Sequence, residues 1–165
     1  MNARIHLLLL VFLTAAAAQP ASALLGETLP EIKKRLGPPE MQMEARKESA
    51  YWLFEGDDGQ LMYSVTFNDK GKSIAEGLKP LKLARFNRTR VMEFIDAELI
   101  LVRDSPTLRV VKPGEAYKFA GKEFVCANTE YVVVDDKRDT LVMWTQAGVP
   151  TVLVLSGEML HRMVN

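Results

Sequence analysis

The acidic pairs Asp57/Asp58 and Asp135/Asp136 with Asp139 are the first residues to test for chemistry, because gathered carboxylates can hold calcium or share acid–base work. Neither group follows the spacing of a calcium loop, and both stand where tight turns favour Asp, so turn formation is the expected role. The tripeptide "GKS" at Gly71 to Ser73 ends like a phosphate loop. The first glycine of such a loop would fall at position 66, which is Thr66, and no long helix follows. His161 is the histidine that remains after residue 23, so any nucleophile–histidine pair would have to be built around a residue four from the C-terminus. Cys126 is the single cysteine, which rules out an intramolecular disulfide, and its setting "KEFVCAN" reads as a half-buried strand where a thiol acts as a small inert hydrophobe. "NRT" at Asn87 is a formal glycosylation sequon. No catalytic constellation, metal set or cofactor motif emerges, and the expectation is a chain that is not an enzyme and carries no cofactor.

Two other groups of residues point to binding. Lys79, Lys82, Arg85, Arg88 and Arg90 fall in one acid-free stretch with Leu81, Leu83 and Phe86 interleaved, a pattern that can meet an anionic partner or a lipid headgroup. Its plainer reading is a solvated linker with apolar members packed into the core. The second group is aromatic: Tyr51, Trp52, Tyr63, Tyr131 and Trp144 all lie in strand-like stretches. "YVVVDD" and "TLVMWTQ" put apolar side chains at consecutive positions, more than one covered sheet face requires. Trp144, with Tyr131 beside it, is therefore the candidate anchor for a partner, against the alternative that both are core.

The elements that must position these residues begin after a targeting segment. Arg4 supplies a positive start, Leu7 to Ala18 an apolar stretch too short to span a bilayer, and "ASA" a small-residue site, so cleavage is expected after Ala23. No cysteine stands there to take a lipid, hence no stable membrane anchor is expected. Removing 23 of 165 residues leaves 142, and losing Arg4 leaves 20 basic against 21 acidic residues, a net charge of −1. That balance offers no field to draw in nucleic acid, and the expected location is periplasmic or secreted.

Thr28 and Glu31 form a capping-box pattern with Pro30 in the first turn. Leu29, Ile32 and Leu36 make one apolar stripe, and Gly37 followed by Pro38 and Pro39 stops the helix. "YWLF", "LMYSVTF" and Ser73 to Leu78 then read as three antiparallel strands. After the basic stretch the order recurs. Asn87 or Thr89 can cap a helix carrying Val91, Phe94, Ile95, Leu99 and Val102, followed by strands at Leu108 to Val111, Glu123 to Ala127, Tyr131 to Asp135, Thr140 to Gln146 and Thr151 to Leu155. A last helical turn begins near Ser156 and carries Met159, Leu160 and Met163.

The run "GETLPEIKKRLGPP", then "YWLF", a glycine turn and "LMYSVTFND", resembles the small outer-membrane lipoprotein family related to the accessory lipoprotein of the β-barrel assembly machine. The likeness covers about Gly26 to Leu78 and rests on residues that define a fold. The tandem arrangement is similar in architecture to the secreted β-lactamase inhibitor proteins, which bind a protein on a concave sheet. Together these readings predict an α+β fold of short helices packed on antiparallel sheet in two tandem helix-plus-sheet units. The units would span residues 24–84 and 85–165 after a signal peptide over 1–23. The expected function is an exported non-enzymatic binding module for a protein or an envelope polymer. The alternatives are a secreted enzyme inhibitor, which needs an exposed loop that plugs a cleft, and a hydrolase, which needs a deep pocket with paired titratable groups.

Overall fold

The structure, a computed structural model, describes residues 25–42, 48–56, 59–81, 89, 94, 106–146 and 149–164. The targeting segment with Ala23, the pair Asp57/Asp58, Asn87 and the cations Lys82, Arg85, Arg88 and Arg90 lie outside the described residues. So does the second predicted helix apart from Thr89 and Phe94, both of which are helical.

Helix α1 (Leu29–Leu36) forms where its capping signals place it. The Glu31 carboxylate accepts the Thr28 backbone N–H at 2.6 Å and the Thr28 hydroxyl at 2.7 Å, satisfying a donor that the first turn would otherwise leave open. At the other end Gly37 adopts φ +83° and ψ −175°, a conformation only glycine takes without strain, and its N–H donates to the Lys33 carbonyl at 2.9 Å. Ile32 carries the buried side of this short helix, and burying it contributes about 1.5–3 kcal/mol, which a two-turn helix needs in order to persist.

Ten strands follow: β1 (Met41–Gln42), β2 (Ser49–Gly56), β3 (Gly59–Phe67), β4 (Ser73–Pro80), β5 (Leu108–Val111), β6 (Ala116–Phe119), β7 (Lys122–Val125), β8 (Glu130–Asp135), β9 (Thr140–Thr145) and β10 (Thr151–Ser156). Helix α2 (Gly157–Val164) closes the described chain. Eight strands form one antiparallel sheet in the order β1-β2-β3-β4-β10-β9-β8-β5, while β6 and β7 pair separately as a hairpin. β4 and β10 are hydrogen-bonded neighbours, with Leu78 opposite Val152, so strands from both halves of the chain share a single sheet.

The expected α+β arrangement of helix-plus-sheet units is not what forms; the fold is mostly β, and the two helices whose bounds are described are short, at eight residues each. The reason lies in strand pairing, because β4 and β10 join the two halves of the chain in one sheet of eight strands. Ile32 of α1 packs in a cluster with Trp52, Tyr63, Val65 and Phe94, so the described residue of the second predicted helix shares the α1 face, whereas Leu160 of α2 packs on the opposite face with Ala75, Leu141 and Leu155. The sheet shared by both halves, not a repeated helix-plus-sheet unit, carries the architecture. Both faces of the sheet are covered in its second half, which is why the successive Val132, Val133 and Val134 are all buried.

Candidate functional site

The pleat divides the sheet's side chains into two sets. Cross-strand pairing aligns Trp52, Tyr63, Leu78, Val152, Trp144 and Tyr131 in one row on the face that α1 covers. The neighbouring row on the other face runs through Tyr51, Ser64, Gly77, Leu153, Met143 and Val132. This second face is covered incompletely. The β6–β7 hairpin lies over its β8 side, with Tyr117 and Phe119 packed beside Val132 and Val134, and α2 lies over another part through Leu160.

Between hairpin and helix runs a groove of about 470 Å³. Its floor is the sheet, where Ser64, Thr66, Gly77, Met143 and Leu153 face it. One wall is the hairpin, through Tyr117, Phe124 and Val125, and the other is α2, through Met159, Leu160 and Met163. Val125 and Met163 stay 66% and 65% exposed, so both walls put an apolar side chain at the rim of the groove.

Each boundary has a local cause. The hairpin turns at Ala120 and Gly121, which take φ +48° and +74°, the pair of positive values that a two-residue turn matching strand twist demands. Tyr117 and Phe124 face each other across the hairpin with ring centroids 5.5 Å apart and nearly parallel, which stiffens that wall. Helix α2 starts where the Ser156 hydroxyl accepts the Met159 N–H at 3.3 Å and itself donates to the Ile74 carbonyl at 2.9 Å, pinning the helix start to β4.

Glu130 brings charge to the lining, and one of its carboxylate oxygens accepts the Ala127 N–H at 2.9 Å. Burial pushes the Tyr117 hydroxyl pKa up, and the Glu130 charge adds to the shift; the Cys126 thiol is raised by the same two causes in the same order. Glu76 also borders the groove, but on the opposite face its carboxylate accepts the Tyr63 hydroxyl at 2.5 Å. The Tyr63 hydroxyl pKa is held well above its ordinary value, first by burial and then by the Glu76 charge.

Trp144 and Tyr131 stand directly opposite each other, both half-buried against the cluster on the α1 face, and so not on the groove. Lys79 is half-buried on β4, and its place two residues from Gly77 puts it on the groove face without making it part of the lining. Asp135 is buried and accepts the Thr107 hydroxyl at 2.6 Å and the N–H groups of Lys137 and Arg138 at 3.1 and 3.3 Å, the work of a turn-forming carboxylate. Cys126 is buried and His161 exposed on α2. Among the described residues no three His, Cys, Asp or Glu side chains gather where one metal ion could join them.

The sequence reading found the helical wall with Met159, Leu160 and Met163 and the strand with Phe124 and Val125, but not the groove between them; Ser64 and Thr66 are visible there only as residues that alternate with the buried set, and "FAGK" is the cue that could have marked the hairpin.

No family model matches the chain, and no curated protein matches it. Among solved structures it is similar to a cysteine-rich secretory protein from Staphylococcus aureus subsp. aureus Mu50, at 14% identity and a TM-score of 0.44, over 86% of this chain and 47% of that one. The chain thus spans about half the length of that protein.

Proposed function

We propose that this chain is an exported, non-enzymatic binding module, periplasmic or secreted, that takes a protein or an envelope component on the groove face of its sheet. One observation carries the reading: a groove of about 470 Å³, within the usual range for ligand sites, has a mostly apolar lining and exposed apolar side chains at its rim, Val125 and Met163. The methionines Met143, Met159 and Met163 supply flexible, polarisable surface that conforms to varied apolar shapes. The signal-like start at Arg4 to Ala23 and the resemblance of Gly26 to Leu78 to outer-membrane lipoproteins support the envelope setting.

The test is a titration with Nile red, an uncharged dye whose emission brightens and shifts to the blue in apolar surroundings. The mature chain should bind it saturably, and Leu153→Trp, which fills the floor, should abolish the signal. Should that variant fail to fold, the rim pair Val125→Ser with Met163→Gln serves instead. Equal binding by wild type and both variants would refute a site in the groove.

A further inference from the structure

We infer that the groove holds the hydrocarbon tail of a single-chain lipid with an uncharged head, an assignment that rests on the binding reading above. The first step is a hydrogen-bond inventory. A peptide strand laid in the groove would bury N–H and C=O groups that each need a partner, at a cost of about 1–3 kcal/mol for every one left open. The side chains available are the Ser64, Thr66 and Tyr117 hydroxyls and the Glu76 and Glu130 carboxylates, of which Glu76 is already engaged by the Tyr63 hydroxyl on the opposite face. Ser64 already points its hydroxyl at the Gly77 carbonyl, 3.5 Å away, and Glu130 has engaged one oxygen with Ala127. A hydrocarbon tail has no such groups to satisfy, and Met143, Leu153, Phe124, Met159 and Met163 offer it continuous contact.

The floor fits the same occupant. A β-carbon at Gly77 would stand 3.1 Å from the Ser64 Oγ and 3.2 Å from the Leu153 Cδ2, so the glycine keeps the middle of the floor low between those side chains.

The head group follows from charge. Glu130 and Glu76 are the charged side chains of the lining, which holds no lysine or arginine, and Glu130 is the one beside the hairpin residue Tyr117, so the charge the lining brings there is negative. Lys79 is on the same face, but in the order β4-β10-β9-β8 it stands three strands from Glu130 and outside the lining. A carboxylate head beside Glu130 would be repelled, whereas a glycerol head would not.

The experiment is displacement of Nile red from the mature chain near neutral pH, below micelle formation, by monododecanoylglycerol, by dodecanoate and by a short leucine-rich peptide, with circular dichroism to check the fold of every variant. Monododecanoylglycerol should displace the dye, with dodecanoate about fivefold weaker or more, the scale of one like-charge contact in a partly wet site. Glu130→Gln keeps the shape and an acceptor for the Ala127 N–H, and should bring dodecanoate close to the neutral lipid. Displacement by the peptide alone would overturn the lipid assignment and leave the binding module standing. Equal displacement by both lipids, unchanged in Glu130→Gln, would overturn the head-group assignment. A dye that never binds would overturn both the assignment and the reading beneath it.

Discussion

Trp144 stands directly opposite Tyr131 across β8 and β9, and the buried indole N–H of Trp144 has no hydrogen-bond partner among the described residues. An orphaned donor of this kind costs about 1–3 kcal/mol, which the packing of the ring on the α1-face cluster must offset. Trp144→Phe removes the donor and keeps most of the ring, so its stability should stay within about 1 kcal/mol of wild type, whereas Trp144→Ala should lose about 2–4 kcal/mol in a urea melt. Nile red affinity should be the same in both, because the residue lies on the other face from the groove. A Trp144→Ala variant that melts normally and loses capture of a native partner would instead make Trp144 the anchor that its position in "TLVMWTQ" suggests.

The end of α1 is tied to the sheet by the Trp52 indole N–H, which donates to the Gly37 carbonyl at 3.0 Å. Gly37→Val forces a β-branched residue into a conformation with φ +83°, and should cost about 1–3 kcal/mol. Trp52→Phe should cost a similar amount through the lost hydrogen bond and ring volume. The two losses should fall short of additive, because each variant loosens the same joint. Strict additivity in chemical melts would show that the bond does not couple helix to sheet.

A second joint holds α2. A β-carbon at Gly157 would lie 2.3 Å from both carboxylate oxygens of Asp139, whose own φ is +50°, so the carboxylate sits directly over the positive end of the helix. Gly157→Ala should displace it and cost about 1 kcal/mol, and Asp139→Ala should then cost clearly less in that background than it does alone. Identical effects of Asp139→Ala in both backgrounds would refute the contact.

The Thr28 hydrogen bonds, side chain first and backbone second, lower the Glu31 pKa in the folded chain. A carboxyl lowered on folding adds stability that is complete above its ordinary value of about 4.3 and is lost as the pH falls through the lower folded value. Thermal melts from neutral to acid pH should therefore show a shallower acid decline in Glu31→Gln than in wild type. Parallel curves would mean that the capping contact does not form in solution.

Much of this chain declares itself locally. Thr28, Glu31 and Gly37 mark both ends of α1 because capping involves residues a few positions apart, and Leu61, Tyr63, Val65 and Phe67 mark a buried face because pleating is local too. The second cover of the sheet could not be read the same way. Tyr117 reaches Val132 only because the hairpin folds back over β8, and Met163 meets the groove only because Ser156 anchors α2 to Ile74, 82 residues earlier in the chain. The pairing of β4 with β10 is long-range in the same way, and it is what replaced the expected tandem units with a single sheet.

Binding of a lipid tail in the groove between hairpin and α2 is reported directly by the methyl resonances of methionine. The mature chain, labelled at the methionine methyl carbons, is titrated with monododecanoylglycerol below micelle formation. Saturable shifts are expected at Met143, Met159 and Met163, which line the groove, while the indole signal of Trp144 on the opposite face stays in place. No shift at those three methyls, or shifts confined to the face of Trp144, would contradict it.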